Sequence, residues 1–348
     1  MDPSVLSALA REAGFDRAAI VDPLRLAPWA EMHAAVLRGF GAAGADETEG
    51  LEWEWVLHPE GWSESFTLLV CCLSCFRREP DDLSTPGEPH ALIAPFARAH
   101  YYRMAMSMLR AFGERLHATF GIPRTGLRFF SNSRIPEKPL LAASGLGTYG
   151  KNGLTLVPGL GSLFIIAGAV IPLPSPRSFS AVPAAAEDPC GSCSLCMGAC
   201  PTGAIVAPGI VDRDRCLQGS AGCSSALAPE VMRLRGARLY GCQSCQDVCP
   251  HNSGLTEGAA PACGEIGPSL PLRRILGAER PALKGLFQGT AMGMSWVASD
   301  ALLRNALIAA GNRGDPGLRT AVERFSGSTV PALRAAARWA LQQLPAAE

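Results

Sequence analysis

Cysteine spacing constrains this chain more than any other feature. The sequence reads Cys190-x2-Cys193-x2-Cys196-x3-Cys200-Pro201, and later Cys242-x2-Cys245-x3-Cys249-Pro250. Three thiolates at i, i+3 and i+6 can wrap one iron–sulfur cubane from a single loop, while the fourth, followed by proline, ligates the other cluster. The second motif is one ligand short of the first, and Cys216 and Cys223 are the donors available between them. The crossed pattern of two-cluster ferredoxins assigns Cys190, Cys193, Cys196 and Cys249 to one centre, and Cys200, Cys242, Cys245 and Cys216 to the other. Zinc sites usually pair cysteines as separated two-ligand knuckles, which describes a triple C-x2-C-x2-C poorly. The expectation is two four-iron four-sulfur clusters that move electrons singly. Cys71, Cys72, Cys75, Cys223 and Cys263 are left over and read as buried or incidental thiols.

A cassette of this kind needs little chain, so most of the 348 residues must serve another purpose. That length predicts two or three domains. Lys plus Arg equals Asp plus Glu at 31 each, so no overall field points to a polyanionic or membrane partner. From residue 265 onward, however, ten basic residues face six acidic ones, leaving that tail at +4. The N-terminus lacks an apolar leader and a twin-arginine pair, and the longest apolar stretches fall short of the ~20 residues a membrane helix needs. A soluble, cytoplasmic, monomeric protein with no membrane partner is expected, and there cysteine clusters bind metal or do catalysis rather than form disulfides.

Residues 4–20 read as a helix stopped by Gly14 and followed by a strand, the usual opening of an α/β domain. SFTLLVCCLSCF reads as a buried strand, and the stretch from Pro89 to Ile122 contains a long helix ending near Gly121. A strand at Phe129–Phe130, the segment EKPLLAASGLG, the turn GLGTYGKNG and the strands LTLV and SLFIIAGAVI follow. Residues 172–188, rich in Pro, Ser and Ala, read as a linker or wrapping arm. Two apolar-periodic helices, ALLRNALIAAGNRG and TVPALRAAARWALQQL, end the chain as a helical hairpin or a repeat unit. No GxxxxGK[ST] and no GxGxxG opening a helix after a first strand is present, so neither nucleotide hydrolysis nor a simple dinucleotide fold is supported.

In their order, AREAGFD, APFARAHYYRM, EKPLLAASGLGTYGKNGL, CGSCSLCMGACPTGAI, GCQSCQDVCPHN and LLRNALIAAGN resemble the epoxyqueuosine reductase family, cobalamin-dependent iron–sulfur enzymes of tRNA modification. The resemblance implies a mixed α/β and α+β architecture in three parts: an α/β cobalamin and catalytic domain over 1–175, a two-cluster ferredoxin-like domain over 176–260, and a short HEAT-like helical tail over 261–348. It implies two 4Fe-4S clusters and cobalamin as cofactors, a flavodoxin- or ferredoxin-type electron donor, and tRNA as a partner. It also places Gly145, Gly147, Gly150 and Lys151 along the corrinoid.

One departure bears on the substrate. Where epoxide-reducing members carry an aspartate proton donor, six residues before the glutamate matched by Glu137, this chain has Ser131. A serine hydroxyl has no useful acidity near neutral pH. Ser131, Tyr102 and Tyr149 are the catalytic candidates, and Lys151 is a further proton donor by chemistry. A reductive dehalogenase-like or other small-molecule reductase is the alternative enzyme. A non-catalytic electron carrier or corrinoid-activating protein is the alternative of another class.

Overall fold

A computed structural model of the chain describes residues 2–38, 64–78, 80–176, 188–258 and 266–346. The opening helix Pro3–Glu12 forms because Asp2 accepts a hydrogen bond from the Ser4 amide at 2.8 Å and Pro3 occupies the first turn, where no amide is needed. It buries Leu6 and Ala10 and hands the chain to the strand Arg17–Ile20.

The central sheet runs Arg17–Ile20, Thr67–Ser74, Phe164–Ile171, Arg128–Phe130, and every neighbouring pair is antiparallel. The α/β reading anticipates parallel βαβ pairing; the antiparallel order gives an α+β layout with helices on both faces. Thr67–Ser74 is buried along its whole length, which explains its unbroken apolar run. Leu69, Cys71 and Leu73 pack toward Ala105, Leu109 and Phe112 of the helix Tyr101–Phe120. Leu68, Val70 and Cys72 face Leu26 and Ala30 of the helix Leu26–Arg38 and Leu140 of the helix Glu137–Ala143. The long helix ends where expected, at Gly121 with φ +67°. Gly168 is obligatory for the sheet, since a Cβ there would stand 2.4 Å from the Leu69 carbonyl oxygen and 2.2 Å from the Phe130 ring.

A second sheet crosses the expected domain boundaries. His90–Ile93 pairs in parallel with Arg238–Tyr240, from the cysteine-rich region, and antiparallel with Ser269–Pro271, from the start of the tail. One apolar core joins Ile93, Leu239, Leu270, Leu302 and Trp339, so the three parts share buried surface rather than meeting through linkers. The helices Ser299–Arg313 and Pro331–Gln343 do form the expected terminal pair. They approach closely at Gly311, where a Cβ would lie 2.8 Å from the Ala340 Cα. Among the described residues no helix is long and apolar enough to cross a membrane. Cys263 and most of the expected linker at 172–188 lie outside the described residues.

Candidate metal centres and the adjoining cavity

Cys190, Cys193, Cys196 and Cys249 line one cavity of about 210 Å³. A tight turn, Cys193 N to Cys190 O at 2.9 Å, brings the first two thiols together, and the short helix Leu195–Ala199 carries the third. Cys249 arrives from the second motif, as the crossed pattern requires. Burial, and then the proximity of Cys190 and Cys249, raise the Cys196 thiol above its ordinary pKa. The Lys151 amide donates to Cys190 Sγ at 3.4 Å, and the Lys151 ammonium donates to the Gly191 carbonyl.

Cys200, Cys216, Cys242 and Cys245 line a second cavity, of about 1140 Å³. Burial and then Cys242, Cys216, Cys196 and Cys200 push Cys245 up to about 12. The Ala204 amide donates to Cys200 Sγ at 3.2 Å. Each group therefore gathers four thiols on one cavity wall, a donor set suited to thiolate-ligated clusters. Cys223 also lines the second cavity but is exposed, and its thiol bonds with Ser225 Oγ at 3.3 Å. Asn252 fastens the second motif to the α+β layer: its Oδ1 accepts from the Ser162 amide at 2.8 Å and its Nδ2 donates to the Gln246 carbonyl at 2.8 Å.

The larger cavity also receives the chemistry-bearing residues of the N-terminal layer. Tyr102 and Tyr149 both line it. Tyr149 packs over Trp29 with ring centroids 5.8 Å apart, and its hydroxyl lies 3.3 Å from His33 Nδ1. Burial, then Lys138 and Arg213, lower His33 to about 3, so the imidazole is neutral. Burial raises both tyrosines; for Tyr102 the nearby Glu137 adds to it.

Glu137 lines the same cavity. Burial pushes its carboxyl up to about 8 despite hydrogen bonds from the Asn132 and Ser133 amides and the charge of Lys138, so it holds a proton at neutral pH. Sequence reasoning used Glu137 only as an alignment anchor. The signal available was an acid opening a helix whose next turn is wholly apolar.

Other candidates sit differently. Ser131 does not line the cavity; its hydroxyl donates to the Ile166 carbonyl at 2.8 Å. The chain then turns through Asn132 at φ +50°, and Asn132 and Ser133 reach the cavity instead. Gly145 and Gly147 line neither cavity. A Cβ on Gly147 would come within 2.3 Å of the Leu156 carbonyl oxygen, so this glycine serves the hairpin of Thr148–Tyr149 and Thr155–Leu156. Gly150 and Lys151 face the first cysteine group rather than the large cavity, whose wall is built by the next residues, Asn152–Thr155.

Residues 189–252 match the family described as a 4Fe-4S double cluster binding domain. An epoxyqueuosine reductase of Salmonella typhimurium is 35% identical over 254 residues, covering 70% of this chain and 62% of that protein. Those of Escherichia coli and Burkholderia pseudomallei are 32% and 34% identical, covering 70% and 65% of this chain and 63% and 57% of theirs. The chain thus spans about three-fifths of the length of these relatives. A solved epoxyqueuosine reductase superimposes with a TM-score of 0.82 at 22% identity, over 98% of this chain and 89% of that one. Another, holding a tRNA-Tyr epoxyqueuosine-modified tRNA stem loop, does so with a TM-score of 0.78 at 23% identity, over the same shares. In sequence and in fold, this chain is similar to the epoxyqueuosine reductases.

Proposed function

We propose that the chain is an iron–sulfur oxidoreductase of the epoxyqueuosine reductase type, which uses two 4Fe-4S clusters and cobalamin to reduce epoxyqueuosine in tRNA. One observation carries the reading: the second cysteine group opens into the same cavity as Tyr102, Tyr149 and Glu137. A cluster held by Cys200, Cys216, Cys242 and Cys245 would supply electrons beside groups that can supply protons. A cavity of about 1140 Å³ with Leu154, Phe164, Ile166 and the backbone at Gly153 and Gly209 on its wall fits a large, flat, largely apolar macrocycle. Cobalamin, when bound, supplies the reducing chemistry.

The chain's own part is to exclude water, hold the ring and keep a proton ready. Glu137 is the best acid on this wall because its carboxyl is protonated at neutral pH, whereas both tyrosines hold their protons more tightly than in water. The family's aspartate is thus replaced in role by a glutamate six residues on, and Ser131 keeps a structural bond to Ile166. The first cysteine group, away from the large cavity, would hold the cluster that takes electrons from a flavodoxin- or ferredoxin-type donor. The arginines of the tail contact tRNA phosphates.

The test is anaerobic reconstitution with iron, sulfide and cobalamin, followed by metal analysis and turnover of epoxyqueuosine-containing tRNA. About eight irons per chain follow from two cubanes, and one cobalt is expected with them. Zinc in place of iron would sink the cluster reading. Full clusters and cobalt without turnover of the tRNA, but with reduction of small substrates, would reassign the substrate.

A further inference from the structure

Two arginines are buried behind the segment that follows Cys216, and among the described residues no acid balances them. Arg235 and Arg304 are each 0% exposed. The Arg304 guanidinium donates to the carbonyls of Cys223 at 2.8 Å, Ser225 at 2.6 Å and Ser220 at 2.7 Å, and to Asn305 Oδ1. Arg235 Nη2 donates to the Leu217 carbonyl at 2.9 Å and to Ser220 Oγ at 2.6 Å, while its Nε and Nη1 are buried without a hydrogen-bond partner. Neither forms an ion pair with a carboxylate among the described residues.

Burying a guanidinium without an anion is costly, and leaving two of its donors unmade adds to that cost. The two cations also oppose each other: burial first, and Arg304 next, lower Arg235 to about 10. The anion-forming groups that act on Arg235 in the opposite sense are thiols, Cys242 and Cys223. Cys242 belongs to the second group of four, and the hydrogen bonds to Leu217 and Ser220 fix Arg235 to the segment that follows Cys216. A four-iron four-sulfur cube with four thiolates carries net negative charge in each of its working states and gains one more on reduction.

We propose that Arg235 and Arg304 are positioning residues for the second cluster, a buried cationic shelf that neutralises its charge and makes it easier to reduce than the first. The inference rests on the double-cluster reading. Among the described residues, the lining of the first cavity holds no arginine, and its one lysine, Lys151, is directed to the Gly191 carbonyl at an exposed position. The shelf also explains why a helix of the tail, Ser299–Arg313, reaches into the cysteine-rich region at Arg304. Burial beside an added negative charge is where a fixed cation acts most strongly, because the local dielectric is low.

The experiment is an EPR-monitored redox titration of the full chain, reconstituted anaerobically with iron and sulfide and without cobalamin. Wild type is counted for iron first; fewer than two clusters there refutes the double-cluster reading itself and leaves the shelf with nothing to act on, which also overturns it. Given two clusters, the signal lost in Cys216→Ala identifies the second centre. Arg235→Met, which keeps bulk and removes charge, should lower the second midpoint by at least a tenfold change in the reduced-to-oxidised ratio, about 59 mV for one electron. The first midpoint should not move, and Arg235→Lys should return the second toward wild type. An unchanged second midpoint in Arg235→Met, or equal shifts at both centres, overturns the proposal. If Arg235→Met fails to load the second cluster, iron content decides: retention by Arg235→Lys supports the charge, and loss in both variants assigns the position to packing and overturns it.

Discussion

The two cysteine groups carry the same four thiols in surroundings that differ in nearly every respect. The first closes on a cavity of about 210 Å³ lined by its own loop, Cys249 and the Gly150–Asn152 turn. The second opens into about 1140 Å³ shared with three tyrosines, a neutral histidine and a protonated glutamate. Repeating a motif repeats the ligands and not the environment, and environment sets potential and access. The first site suits receipt of an electron, and the second its use.

The sharpest way to break this comparison is to remove one ligand. Cys216→Ala should lose one cluster, halve the iron content and abolish turnover, whereas Cys223→Ala should keep both clusters. Equal iron loss in the two variants would leave the choice of fourth ligand without support.

Next in size is the acid. Glu137→Gln should retain both clusters and cobalt but slow turnover by ~10²–10⁴, the usual contribution of a general acid. The carboxyl is raised above its ordinary range to about 8, so the protonated form dominates below that value and is lost above it. Wild-type rate should therefore fall as pH rises through about 8, and the Gln variant should lose that descending limb. A limb that persists in Glu137→Gln would move the proton to Tyr102 or Tyr149.

A smaller effect tests whether the tail holds tRNA. If its arginines meet phosphates, log affinity should fall with log salt by roughly one unit of slope per neutralised phosphate, and replacing exposed Arg280 and Arg324 with Gln should flatten the slope. A slope unchanged by both replacements would shift the contact elsewhere. Smallest of all is Ser131→Ala. Ser131 does not line the large cavity and its hydroxyl donates to the Ile166 carbonyl, so about 0.5–1.5 kcal/mol of stability should be lost, read by chemical denaturation, with turnover nearly unchanged. A hundredfold fall in turnover would restore Ser131 to the catalytic set.

Spacing along one loop already brings Cys190, Cys193 and Cys196 together, a donor set suited to a thiolate-ligated cluster. The long helix stopped at Gly121, the doubly buried strand Thr67–Ser74 and the terminal helix pair are likewise legible in the sequence, since each is a local pattern of apolar period and caps. The remaining features were set by contacts between distant segments. The antiparallel order of the sheet and the pairing of His90–Ile93 with Arg238–Tyr240 and Ser269–Pro271 depend on contacts between segments far apart in the chain. The glycine turn looked like a cofactor cradle, yet Gly147 is required by the neighbouring carbonyl of Leu156, which no local pattern reveals. Glu137 is an ordinary acid in sequence and becomes a proton holder only when folding removes its water, while Ser131, just past the end of the strand Arg128–Phe130, is turned to the Ile166 carbonyl. Desolvation and charge pairing are properties of the packed site, and spacing along a chain does not record them.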